Sequence, residues 1–269
     1  MLSRVRVRLA AGTDPDRAIT ELNQLIGNFA AAIPPNTASP RDAFVRWATD
    51  AELRLRTILH PNDAGSFFSR DRYRDIRSMT PGNQIMFLIQ AEVDALRHDL
   101  TEALEYLKRH RDRMRASAGL PIVIDTMVLL QCQRLDQVKW SPVVGEEARV
   151  MIPLRVIDEI EEKKYSDSKR LRGRARRVTP WIDKHFAEDS PGPVPLTEGA
   201  TIELIVAEEP RYRPDSADDE ILAVARDVLK FAGRMKIMTG DTGMRVRART
   251  EGLDVLRLPD EWRIRDDDD

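Results

Sequence analysis

Two aspartates each stand just after a short apolar run, more than a hundred residues apart. The first ends Pro121-Ile122-Val123-Ile124-Asp125-Thr126, and the second follows Lys236-Ile237-Met238-Thr239-Gly240-Asp241-Thr242. A β-branched run stopping at an acid reads as a buried parallel strand that delivers a carboxylate to its C-terminal edge. Open α/β sheets bind ligands at that edge, where strand order reverses. Further acids lie between the two: Glu159 in Val156-Ile157-Asp158-Glu159-Ile160, and Asp218 and Asp219 in Ser216-Ala217-Asp218-Asp219-Glu220-Ile221-Leu222. Each taken alone has a bland reading, as a helix N-cap or a solvated face. Carboxylates gathered at one edge, however, repel each other unless a cation binds or some take up protons. Hard oxygen donors suit Mg2+ or Mn2+. Such an ion activates water and stabilises the charge of an in-line attack on phosphate.

The elements that must carry these acids follow from the periodicity. From Leu120 onward, short apolar runs (122–124, 149–152, 202–206, 236–238 and 255–258) alternate with helical patterns at about 154–164, 169–185, 218–232 and 242–250. This alternation predicts a parallel sheet with helices on both faces, and right-handed crossovers restrict its topology. The strands ending at Asp125 and Asp241 are then expected to be neighbours at the switch point. The stretch 188–199 reads as a loop.

The first half reads as all helical. Ile19, Leu22, Ile26, Phe29 and Ile33 lie on one face, behind an Asp14-Pro15 start. Phe44, Trp47, Ala51, Leu55 and Ile58 form the stripe of a second helix from Pro40, and 62–82 reads as a polar loop. A long helix over 83–116 keeps Met86, Ile89, Val93, Leu96, Leu100, Ala103 and Leu107 in heptad register. That stripe is either the packing face of a bundle or the seam of a homodimer. The expected domains are a helical domain over 1–118, an α/β domain over 119–260 and an acidic tail over 261–269.

The 269 residues are 42% apolar and 33% charged with a net charge of −2, which suits a soluble protein with a core and a charged surface. No apolar run reaches the length of a membrane span, and no signal peptide is visible. A single cysteine, Cys132, excludes an intrachain disulfide and fits the cytoplasm. No phosphate loop or dinucleotide glycine pattern occurs, so no nucleotide cofactor is expected. The histidines at 60, 98, 110 and 185 share no ligand spacing.

In order and placement, Val123-Ile124-Asp125-Thr126-Met127-Val128-Leu129, Val156-Ile157-Asp158-Glu159-Ile160, Asp218-Asp219-Glu220-Ile221-Leu222 and Thr239-Gly240-Asp241 together resemble a PIN domain. The resemblance covers about 120–258. It implies an α/β fold with a C-terminal PIN-like parallel sheet flanked by helices, here preceded by an all-α N-terminal helical domain. It also implies a metal-dependent endoribonuclease preferring single strands. Its acidic site maps onto Asp125, Glu159, Asp218 and Asp241, with Asp219 as the alternative to Asp218. Asp218 is favoured because it lies three positions before Ile221. Thr126 and Thr239 take the hydroxyl positions that accompany the first and last aspartates. Where family members often carry a further polar or acidic residue, Thr242-Gly243-Met244 stands, so a secondary metal position is not carried over.

An RNA substrate needs positive charge beside such an edge. Lys163-Lys164 and then Lys169, Arg170, Arg172, Arg174, Arg176 and Arg177 follow the Glu159 helix directly. Arg211, Tyr212 and Arg213 precede Asp218 and offer charge and stacking. Three functions compete: the endoribonuclease, a catalytically inactive PIN-like module binding RNA or protein, and the toxin of a toxin–antitoxin pair. The large helical half disfavours the toxin.

Overall fold

Short β-branched segments and longer amphipathic ones sort this chain into a parallel sheet and its flanking helices. The computed structural model describes residues 5–35, 37–79, 85–186, 192–205 and 216–264. The chain divides into two compact units, 1–113 and 114–269.

The first unit is helical. Helix α1 (Pro15–Gly27) starts on Asp14, whose carboxylate accepts from the Asp16 and Arg17 amides, with proline in its first turn. Helix α2 (Pro40–Ile58) is opened by Ser39 and Pro40 in the same manner. The expected polar loop at 62–82 instead forms two short helices, α3 (Pro61–Ser66) and α4 (Asp71–Ser78). Periodicity missed α4 because it buries only Tyr73 and Ile76. Tertiary packing holds it: the Tyr73 ring sits 6.1 Å from Phe44 and 5.8 Å from Phe68, edge to face. The long helix α5 (Ile85–Ala116) follows. Its heptad residues Ile89, Val93, Leu96, Leu100, Ala103 and Leu107 are all buried within the chain, so that stripe is spent on intrachain packing. Only Met86 of the set is exposed.

The second unit is a six-stranded sheet among the described residues, in the order β3-β4-β2-β1-β5-β6. Its strands are β1 (Leu120–Ile124), β2 (Ala148–Pro153), β3 (Val194–Thr197), β4 (Ala200–Ile205), β5 (Lys236–Thr239) and β6 (Val255–Arg257). Every residue of β1 and β2 is buried, as expected for parallel strands covered on both faces. All pairings are parallel except β3 with β4. Strand β3 lies where a loop was expected. It buries only Leu196 and carries Pro195, which lacks a ladder donor and is tolerated because β3 is an edge. The helices are α6 (Thr126–Gln131), α7 (Ser141–Val144), α8 (Leu154–Lys163), α9 (Lys169–His185), α10 (Ala217–Ala232) and α11 (Thr242–Thr250). Sequence order runs outward from β1 through β2 to β4, then returns to β5 on the other side of β1. The switch point therefore lies between β1 and β5, as the sequence predicted. Trp262 packs 5.0 Å from Trp140, and residues 265–269 of the expected acidic tail lie outside the described residues.

Candidate acidic site at the sheet switch point

Strand register places the first acid. Ile124 pairs with Met238 in the β1–β5 ladder, so the next residues out, Asp125 and Thr239, emerge side by side. Asp125 is only 4% exposed. Its Oδ1 accepts from the Val128 amide at 2.9 Å and so caps α6, while its Oδ2 accepts from the Thr239 hydroxyl. Thr239 in turn accepts from the Asp241 amide at 2.9 Å. Asp241 caps α11 by accepting from Met244 N at 2.8 Å, which leaves its other oxygen unused by the cap. Gly240 allows this loop to lie close to α6, since a Cβ there would meet Gln131 Oε1 at 2.9 Å.

Glu159 sits in the second turn of α8, half-buried beside the core positions Val156 and Ile160. Its carboxylate accepts from the Thr126 hydroxyl, which brings the β1 edge and α8 together. Asp218 and Asp219 open α10. Arg247, on α11, grips both, reaching Asp218 Oδ2 with one nitrogen and Asp219 Oδ1 with the other at 3.1 Å. Reading the sequence missed Arg247 because nothing in its spacing connects α11 to α10.

Burial pushes the Asp125 carboxyl up to about 6 from 3.8. The Thr239 and Val128 hydrogen bonds oppose that rise, and the charges of Asp218 and Asp241 add to it. Asp125 thus lies within reach of the Asp218 and Asp241 charges. Asp219 is not among the charges acting on Asp125, and it is exposed where Asp218 is half-buried. Of the two, Asp218 is the one whose charge reaches Asp125.

The donor set is hard oxygen throughout, and the negative charge raising Asp125 is what a divalent cation would relieve, so the residues fit Mg2+ or Mn2+ in chemistry. As the side chains stand, no group of three or more His, Cys, Asp or Glu among the described residues is close enough to hold an ion. The α10 carboxylates are instead paired with Arg247.

The basic run forms most of the first three turns of α9. Lys169, Arg170, Arg176 and Arg177 are exposed, and Arg172 is half-buried, donating to the Ser166 carbonyl at 2.6 Å. Arg174 corrects the expected set. It is 4% exposed, because helical period places it with Ala175, Val178 and Trp181 on the inward face, so it presents no guanidinium to a substrate. Arg211, Tyr212 and Arg213 lie outside the described residues. Glu220, near Asp218, is buried, with Oε2 3.9 Å from Arg155 on α8. That ion pair spans the two helices that carry Glu159 and Asp218, and no local motif announced it. Cys132 is buried and its thiol is pushed up to about 12 by burial, so it is an inert packing group. No described helix is long and apolar enough to cross a membrane.

Residues 122–258 match the family model of the PIN domain, a nuclease-type fold. No curated protein matches the chain.

Proposed function

The chain belongs to the PIN domain family, and from that premise we propose that its second unit is a divalent-metal-dependent endoribonuclease cutting single-stranded RNA. One observation carries the reading. Asp125 is buried at the sheet switch point, held rigidly by Thr239 and Val128, and feels the charges of Asp218 and Asp241. Asp125, Asp218 and Asp241 would hold Mg2+ or Mn2+, with Glu159 presented from α8 and Asp219 beside Asp218. The ion, when bound, supplies an activated water and neutralises charge on the phosphate under attack.

The chain's own residues do the remainder. The Val128 amide and Thr239 hydroxyl fix both Asp125 oxygens, so the carboxylate does not reorient when substrate enters. Thr126 aims Glu159 from across the site. Exposed Lys169, Arg170, Arg176 and Arg177 hold phosphates of the flanking strand. Arg247 must release Asp218 for the carboxylates to close on an ion. The first unit, through its helices, positions RNA or a partner, a second copy of the chain included. A reducing cytoplasm suits its single, inert thiol.

Manganese-dependent cleavage of single-stranded RNA tests the reading. Wild type is expected to cut, and Asp125→Asn is expected to lose the activity; equal rates would defeat it. The second reading, an inactive RNA- or protein-binding module, is favoured by one fact, that Arg247 already occupies the α10 acids. Calorimetric titration with manganese separates the two. Heat abolished by Asp241→Asn supports the nuclease, and no heat from wild type supports the module.

A further inference from the structure

The turn between α8 and α9 holds Tyr165, which is 84% exposed. An exposed ring is unremarkable alone. This one stands on a turn fastened at several points. Lys164 N donates to the Ile160 and Glu161 carbonyls, Tyr165 N to the Glu162 carbonyl at 3.1 Å, and Ser166 N to the Lys163 carbonyl at 3.1 Å. Arg172 reaches back from α9 to the Ser166 carbonyl at 2.6 Å, and the Ser168 hydroxyl caps α9 by accepting from Leu171 N. The backbone under Tyr165 is therefore set before anything binds.

Charge around the ring is strongly positive. Residues 161–177 carry eight Lys and Arg against three acids, Glu161, Glu162 and Asp167. Lys164 is taken by Glu161 at 2.5 Å. Lys163 and Lys169, on either side of the tyrosine, make no ion pair among the described residues. Glu159 is one helical turn before Lys163, so the Tyr165 Cα lies at most about 14 Å from that of Glu159. An exposed aromatic ring on a fixed backbone, between ammonium groups that make no ion pair among the described residues, is what an unpaired base on a charged backbone requires.

We infer that this turn is a single-strand stacking site: the Tyr165 ring receives one unpaired nucleobase of RNA while Lys163 and Lys169 hold the phosphates on either side of it. The inference deepens the reading of the chain as a single-strand ribonuclease, by naming where substrate is gripped beside the acids.

Binding is measured on the full chain carrying Asp125→Asn, in chelator, by fluorescence anisotropy of a labelled oligouridylate. Adding Tyr165→Ala is expected to weaken Kd by about 5- to 100-fold, the worth of one base–aromatic stack. Tyr165→Phe keeps the ring and is expected to stay within about twofold of the parent by the same principle. Tyrosine carries no charge, so Tyr165→Ala leaves the salt slope of binding unchanged. Lys169→Gln lowers that slope by about 0.7. An abasic oligomer of the same length is expected to bind the parent as weakly as the uridylate binds Tyr165→Ala. Unchanged affinity in Tyr165→Ala, abasic binding as tight as uridylate, or no RNA affinity at all overturns the inference. Cleavage by the chain with Asp125 intact is scored separately. Tyr165-dependent binding without cleavage defeats the nuclease reading and leaves the stacking site standing; cleavage with Tyr165-independent binding does the reverse.

Discussion

Replacing Asp125 by asparagine is expected to make the protein more stable at neutral and alkaline pH while abolishing cleavage. Asp125 is almost wholly buried, and its pKa is pushed up from 3.8 to about 6, first by burial and then by the Asp218 and Asp241 charges. Between those values the folded chain keeps a proton that the unfolded chain has released. Stability from this group is therefore intact below pH 4 and is lost as pH rises through 6. The shift of about two units corresponds to roughly 3 kcal/mol at most above pH 7. Asparagine still accepts from Val128 N, but it cannot accept the Thr239 hydroxyl through the nitrogen it puts at Oδ2, which costs about 1 kcal/mol. The net gain is about 2 kcal/mol at pH 8 and turns into a loss of roughly 0.5 kcal/mol at pH 4, where most of the burial cost is gone and the lost hydrogen bond outweighs it. For a unit of this size the gain at pH 8 is roughly 4–8 °C in melting temperature. Differential scanning calorimetry in chelator, across pH 4 to about 8, reads it. Saturating manganese should then reverse the order, because the ion stabilises only the chain that binds it. An Asp125→Asn protein that melts below wild type at pH 8, or by the same offset at both ends, would refute the reasoning.

Arg247→Gln removes the guanidinium holding Asp218 and Asp219. It is expected to tighten manganese binding a few-fold, the worth of one exposed ion pair at about 0.2–1 kcal/mol; weaker binding by calorimetric titration would mean that Arg247 orients the acids instead of competing for them. Glu203→Gln breaks a fully buried ion pair in which Arg149 Nε lies 2.5 Å from Glu203 Oε1, between β2 and β4. It strands a charge in the core and should cost about 3–5 kcal/mol in urea unfolding; a loss below about 1 kcal/mol, the range of an exposed pair, would show that water reaches it.

The strands at 122–124, 149–152, 202–206 and 236–238 were legible because a parallel strand covered on both faces must be a short apolar run, whatever surrounds it; 255–258, an edge strand without a buried residue in β6, was legible from its place after the last helix. Helices α1, α2, α9 and α10 were legible because each carries an apolar stripe, and α1, α2 and α9 also open on a Ser or Asp cap; α8 and α11, which bury two residues each, were legible from their places between strands. The acids Asp125, Glu159, Asp218 and Asp241 were legible as candidates from their places after strands and at helix starts. Helix α4 and strand β3 were not, since each buries too few residues for a period to show and depends on Phe44, Phe68 or the β4 ladder.

Local pattern thus determined which residues lie in strands, which in helices, and which acids stand at the ends of elements, because those depend on neighbours within one or two turns. Only the tertiary structure decided what depends on distant partners. It showed the α5 heptad buried within the chain, where periodicity alone serves a bundle and a dimer equally. It turned Arg174 inward and left Lys169, Arg170, Arg176 and Arg177 outside. It put the charges of Asp218 and Asp241 within reach of Asp125, because the field there is set by distance across strand order and not by position in the chain. It also placed Arg247 against the acids, since a cation finds its carboxylates through space, here 28 and 29 positions away along the chain.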